Sequence, residues 1–127
     1  MNELEQAIET ALATEGDKDK ANKAYLEFIK ANFIIPVEAN KEGEPQVLYM
    51  VENEQAFLPV FTSMDYFDKW AAEIADQVNL LKLSGVDLLK GIGEQVTVCL
   101  NIGGSFYKEF NPAEIARMRS MVLKFFN

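Results

Sequence analysis

The sequence predicts one domain of α/β type, α+β-like in its order, in which a helical hairpin precedes a mixed β-sheet of five or six strands with flanking helices. Three observations carry this. The 127 residues are 49% hydrophobic and 11% aromatic, enough apolar surface for a core that needs no disulfide or metal. Apolar residues recur at helical spacing near both ends and again after Ser63, whereas segments between these alternate or run continuously apolar, as strands do. Glycine, proline and capping residues punctuate the boundaries, with no repeat and no low-complexity linker, so residues 1–127 read as a single unit.

Leu4, Ala7, Ile8, Ala11 and Leu12 share one helical face, and the segment stops at Thr14-Glu15-Gly16-Asp17. Asp17 caps a second helix with the core stripe Ala21, Ala24, Tyr25, Phe28 and Ile29, and with Lys18, Lys20, Lys23, Glu27 and Lys30 opposite. Phe33 to Glu38 turns to strand chemistry, and Pro36 places that strand at an edge or a bulge. Lys41-Glu42-Gly43-Glu44-Pro45 reads as a turn, and Val47 to Val51, apolar throughout, as a strand covered on both faces. Glu52-Asn53-Glu54 then turns the chain into Ala56–Phe61, completing an antiparallel hairpin.

A third helix follows Ser63, with Phe67, Trp70, Ala71, Ile74, Ala75 and Val78 as its apolar stripe and Asp65, Asp68, Lys69, Glu73 and Asp76 outside it. Leu80 to Leu83 forms a short strand, and Ser84 caps a short helix through Val86-Asp87-Leu88-Leu89 that Gly91 and Gly93 end. Val96, Val98, Leu100 and Ile102 alternate as a strand, and Gly103-Gly104 turns into another at Phe106-Tyr107. Asn111-Pro112-Ala113-Glu114 supplies an N-cap, a first-turn proline and a capping-box glutamate for a last helix that buries Ile115, Met118, Val122 and Phe125. A hairpin followed by strand–helix–strand crossovers implies a mixed sheet.

The formal net charge of -8 sets the chain against phosphate backbones and anionic lipid, so neither nucleic acid nor a membrane is an expected partner. Cys99 is the lone cysteine, which rules out an intrachain disulfide and fits a reducing compartment; with no signal-peptide pattern and no long apolar run, a cytoplasmic protein is expected.

The absence of histidine removes the commonest general base and metal ligand, and every Ser-His or Cys-His nucleophile pair. One cysteine cannot build a zinc or iron–sulfur site within the chain. Asp17 and Asp19 begin like a calcium loop, but Asn22 stands at its glycine position and Phe28 at its bidentate glutamate position. Gly91-Ile92-Gly93 lacks the third glycine of a dinucleotide loop, where Val96 stands, and no Gly-Lys-Ser/Thr run exists. Gly103-Gly104-Ser105 reads as a turn rather than an anion nest. Asp65/Asp68 and Glu73/Asp76 adjoin on a polar helix face, where solvation explains them, and Cys99 reads as a small core residue. Arg117 and Arg119 point apart and read as solvated.

No catalytic residue, metal ligand or cofactor is therefore expected. The candidate contact surface is Phe61, Thr62 and Ser63, together with Asn101, Gly103 and Gly104. Hydroxyls and N–H groups at a helix start can meet a carboxylate or phosphate, although capping alone accounts for Thr62 and Ser63.

Leu58-Pro59-Val60-Phe61-Thr62-Ser63 followed by Trp70, then Gly85-Val86-Asp87-Leu88-Leu89, then Leu100-Asn101-Ile102-Gly103, all behind the Leu4-Glu5-Gln6-Ala7-Ile8 helix, resembles the N-terminal domain of the SseB family. That family is bacterial and named for an enhanced-serine-sensitivity protein. The resemblance spans nearly the whole chain and implies a bacterial source. It brings no established catalytic residues, and longer members carry a second, C-terminal domain. The expected function is a non-enzymatic binding or regulatory module that contacts another protein. The alternative is a sensor of a small metabolite, an amino acid or another anion. Behind these stand an immunity-like protein whose acidity covers a basic toxin, and an enzyme using carboxylates such as Asp65 and Asp68.

Overall fold

Asn2 and Asp17 start the first two helices by taking up N–H groups that a helix leaves unpaired. Asn2 Oδ1 accepts from Glu5 N–H at 2.8 Å, and Asp17 Oδ1 from Asp19 and Lys20 N–H at 3.0 and 3.2 Å. They open α1 (Glu3–Ala13) and α2 (Lys18–Lys30), which pack together as the predicted hairpin. The structure, a computed structural model, describes residues 2–38, 47–104 and 106–125. The turn expected at Lys41–Pro45, Ser105 of the glycine turn and the side chain of Phe125 lie outside the described residues.

The chain continues through β1 (Asn32–Glu38), β2 (Met50–Glu52), β3 (Gln55–Val60), α3 (Met64–Ala71), β4 (Val78–Ser84), α4 (Gly85–Gly91), β5 (Val96–Leu100), β6 (Lys108–Phe110) and α5 (Pro112–Phe125). β1 and β4 pair antiparallel along their whole length, from Asn32 opposite Ser84 to Glu38 opposite Val78. The other strands lie in the order β2-β3-β5-β6, with β3 and β5 parallel and the outer pairs antiparallel. Reciprocal hydrogen bonds between Ile34 and Phe61, at 2.8 and 2.9 Å, link the two groups of strands. The fold is the predicted mixed α and β domain with a helical hairpin at its start.

Alternation along the strands splits the core in two. Phe33, Ile35, Leu58, Val60, Val98 and Leu100 face α1, α2, α4 and α5, where Phe28 packs its ring on Phe33 and Phe110 at 4.7 and 5.0 Å. Ile34 and Phe61 point the other way, into a smaller cluster with Phe67, Ala71 and Val78. Phe61 meets Phe67 edge-on at 5.7 Å and Trp70 at 5.4 Å, so α3 is fastened to the sheet by aromatic contacts.

Several local expectations are corrected. β1 has a ladder partner, β4, on one side only, as Pro36 leads one to expect, but its other side is not bare: Phe61 and Val47 form isolated bridges to it. Pro36 is accommodated because that second side holds isolated bridges, not a continuous ladder; its carbonyl accepts the Leu48 N–H at 3.1 Å. Val47–Val51 is not covered on both faces. β2 ends the sheet, leaving Tyr49 and Val51 exposed. α3 stops at Ala71, and Val78 belongs to β4, because pairing with Glu38 captures it in a ladder that helical periodicity cannot anticipate. β5 is buried at every position, and Ile102 lies in the turn after it, since Asn101 leaves the extended path with φ of 58°. The following strand begins at Lys108 instead of Phe106.

Candidate functional site

The end of β3, the end of β5 and the start of α1 converge on one polar junction. Asn101 is completely buried, and its positive φ suits asparagine better than any branched side chain. Its N–H donates to Val60 C=O at 2.8 Å, its Oδ1 accepts the Thr62 N–H at 3.0 Å, and its Nδ2 donates to Thr62 Oγ1 at 3.1 Å. Because Thr62 Oγ1 accepts that proton, its own single proton goes to Glu5 Oε1 at 3.1 Å. The chain of donors therefore runs from Asn101 through Thr62 to a carboxylate that is itself 6% exposed.

The structure brings Thr62 and Asn101 together as the sequence grouped them, and it adds Glu5. The available signal for Glu5 was its place beside Leu4 and one turn before Ile8, at the margin of the buried stripe. Ser63 Oγ accepts the Tyr66 N–H at 3.4 Å, the capping role. Gly103, with φ of 81°, is exposed, whereas Gly104 lies under Tyr66: a Cβ there would sit 2.6 Å from the ring. Phe61 is corrected outright, since it is fully buried in the α3 cluster and presents no contact surface. The Thr62 N–H is already bonded to Asn101, so it is not a free donor for an incoming anion.

Beside this junction lies a cleft of about 580 Å³, lined by Asn2, Glu3 and Leu4 of α1, Glu27, Lys30, Ala31 and Asn32 at the end of α2, and Thr62. A second cleft of about 520 Å³ continues along the hairpin, sharing Glu3, Glu27 and Lys30 and reaching Gln6, Thr10, Lys20 and Lys23. Glu27, only 6% exposed, accepts from Lys23 Nζ at 2.8 Å and Lys30 Nζ at 3.2 Å through the same oxygen, Oε1. The Lys23 hydrogen bond, joined by Lys30, holds the Glu27 carboxyl below the usual range against the cost of burial, and Glu27 in turn raises the Lys23 ammonium.

A carboxyl whose folded pKa is depressed stabilises the fold above its ordinary pKa, and that stability is lost as pH falls through the folded value. Glu27→Gln is accordingly expected to lower stability at neutral pH by up to about 1 kcal/mol, the range of a solvent-screened pair. The difference should vanish below the folded pKa of Glu27. Urea unfolding of both proteins across the acid range checks it; a difference that persists in acid would assign the loss to packing.

The remaining candidates carry no reactive arrangement. Cys99 is 2% exposed and burial pushes its thiol pKa up, so the thiolate is disfavoured. The Tyr107 hydroxyl approaches its Sγ at 3.9 Å and bonds the Glu109 carboxylate; burial and that bond push the phenol pKa up. Asp65 and Asp68 are exposed on α3, and no group of three or more Cys, Asp or Glu suited to a metal occurs among the described residues. Arg119 is not a free surface residue: its Nε and Nη2 donate to the Leu89 and Ile92 carbonyls at 3.0 and 2.9 Å, tying α5 to the end of α4.

Fold and site together define a small mixed α and β domain with a buried polar junction whose groups bond one another and with open clefts along its helical hairpin. Residues 4–117 match the family described as SseB protein N-terminal domain, and the chain belongs to that family. No curated protein and no solved structure gives a match. Among the described residues, no helix is long and apolar enough to cross a membrane.

Proposed function

We propose that this domain is a non-catalytic binding and regulatory module, bacterial and cytoplasmic, that engages another protein at the β3–α3 junction. The observation that carries this reading is the Glu5–Thr62–Asn101 network. It ties α1, the start of α3 and the turn after β5 into one platform, and its polar groups are spent on one another instead of being poised as base or nucleophile. On that platform Met64 is 39% exposed and Gly103 is open to solvent, which supplies an apolar contact with a close backbone approach. The net charge of -8 favours a basic partner, and a basic toxin would be the immunity-like case.

Met64→Glu adds a charge to this surface without touching the network. Affinity purification from bacterial lysate with wild type and with this variant, matched for melting temperature, is the test. A protein captured by wild type and lost in the variant supports the reading; equal capture, or none by either, counts against it.

A second reading is favoured by the cleft of about 580 Å³ with Thr62 in its wall: a sensor of a small polar metabolite.

A further inference from the structure

We propose that Lys23 and Lys30, drawn together by the buried carboxylate of Glu27, form a binding site for the oxyanion group of a small ligand, a carboxylate or a phosphate. The site rests on the small-ligand reading and moves the anion from the β3–α3 turn, where the Thr62 N–H is occupied, to the face of α2 that borders α1.

Residues 23 and 30 stand two turns apart, about 10 Å along the helix axis. Their ammonium groups are nonetheless close, because both bond the same Glu27 oxygen at 2.8 and 3.2 Å, which leaves the two nitrogens no more than about 6 Å apart. Each ammonium has three N–H donors and gives one to Glu27. The rest are available, since the Lys23 and Lys30 side chains are 61% and 55% exposed. The three groups together carry one net positive charge, an island in a chain of net charge -8.

Such a pair suits a group that presents two oxygens, each taking a charge-assisted hydrogen bond from one ammonium. Glu27 and Lys30 line both clefts, so the bound group has room for the rest of a small molecule on either side. Lys20 adds a third cation along the second cleft, and Glu3, common to both walls, disfavours polyanions. The assigned ligand is thus a small molecule with a single carboxylate or phosphate head.

The test is a titration of the full chain with inorganic phosphate and, separately, acetate at low ionic strength, followed by NMR of the lysine ammonium and backbone signals. Saturable shifts centred on Lys23, Glu27 and Lys30 are expected. Lys23→Ala and Lys30→Ala should each weaken binding by about tenfold, while Lys90→Ala on α4 leaves it unchanged. Saturation by phosphate alone assigns a phosphoryl ligand, by acetate alone a carboxylate; both outcomes support the site. Glu27→Gln removes a negative charge yet is expected to weaken binding, because the two lysines lose their tether.

Tighter binding by Glu27→Gln, or no saturable shift with either anion, overturns the proposal. A metabolite that raises the melting temperature equally in wild type and in a Lys23→Ala, Lys30→Ala double variant overturns this site but leaves the small-ligand reading standing; if metabolites stabilise neither protein, both fall.

Discussion

Gly85→Ala is expected to destabilise the domain by about 3 kcal/mol or more, with urea unfolding as the measurement. Gly85 opens α4, and its N–H donates to Ala31 C=O at 2.8 Å, so the start of α4 docks on the backbone at the end of α2. A Cβ at this position would lie 2.1 Å from the Phe28 carbonyl oxygen and 2.7 Å from that of Ile29. Neither obstacle is a side chain that can swing aside. Relief requires separating α4 from α2, and these helices carry Phe28, Ile29, Leu88 and Leu89, all within 1% of complete burial. A loss under about 1 kcal/mol would show that the two backbones are not held at this distance.

Asn101→Ala has the second large effect, expected at about 2–4 kcal/mol from the loss of buried hydrogen bonds together with a left-handed backbone. The substitution removes the acceptor of the Thr62 N–H and the donor to Thr62 Oγ1, while asking alanine to hold φ at 58°. Asn101→Gly separates the two causes: it loses the same hydrogen bonds but takes the backbone angle freely, so it should recover about 1 kcal/mol of the loss. Equal stabilities for the alanine and glycine variants would mean that the backbone angle contributes nothing, and that the side-chain bonds account for the whole effect.

What the sequence shows well is local. The capping serines, Asp17 and the Asn111–Glu114 box all stand where residue chemistry placed them. Asn111 Oδ1 accepts the Glu114 N–H at 2.9 Å, and Glu114 Oε1 accepts the Asn111 N–H at 3.2 Å. Pairing over long separations is different. Nothing in Phe33–Glu38 announces Val78–Ser84 as its partner, or that β3 lies parallel to β5, because any strand with compatible faces fits equally. Phe61 likewise depends on a contact that its own segment does not contain. Beside Thr62 and Ser63 it looks like the rim of a contact surface, and only α3 folding back over it reveals a core position. Glu27 belongs to a polar helix face by spacing, with Lys23 and Lys30 as its i,i+4 and i,i+3 neighbours, and its burial arises where α1 packs on α2, which the pattern of α2 alone does not contain.

The pairing of β1 with β4 also bears on how the chain finds its fold. The backbone leaves this pair at Glu38 and returns to it at Val78, its register partner, so the first rung closes a long loop before local contacts can offset the entropy. Within that loop lie Phe61, Phe67 and Trp70, and their cluster is completed by Ile34 from β1 and Val78 from β4. The aromatic cluster is therefore complete only in a chain whose long loop has closed, and the single tryptophan packs against that cluster.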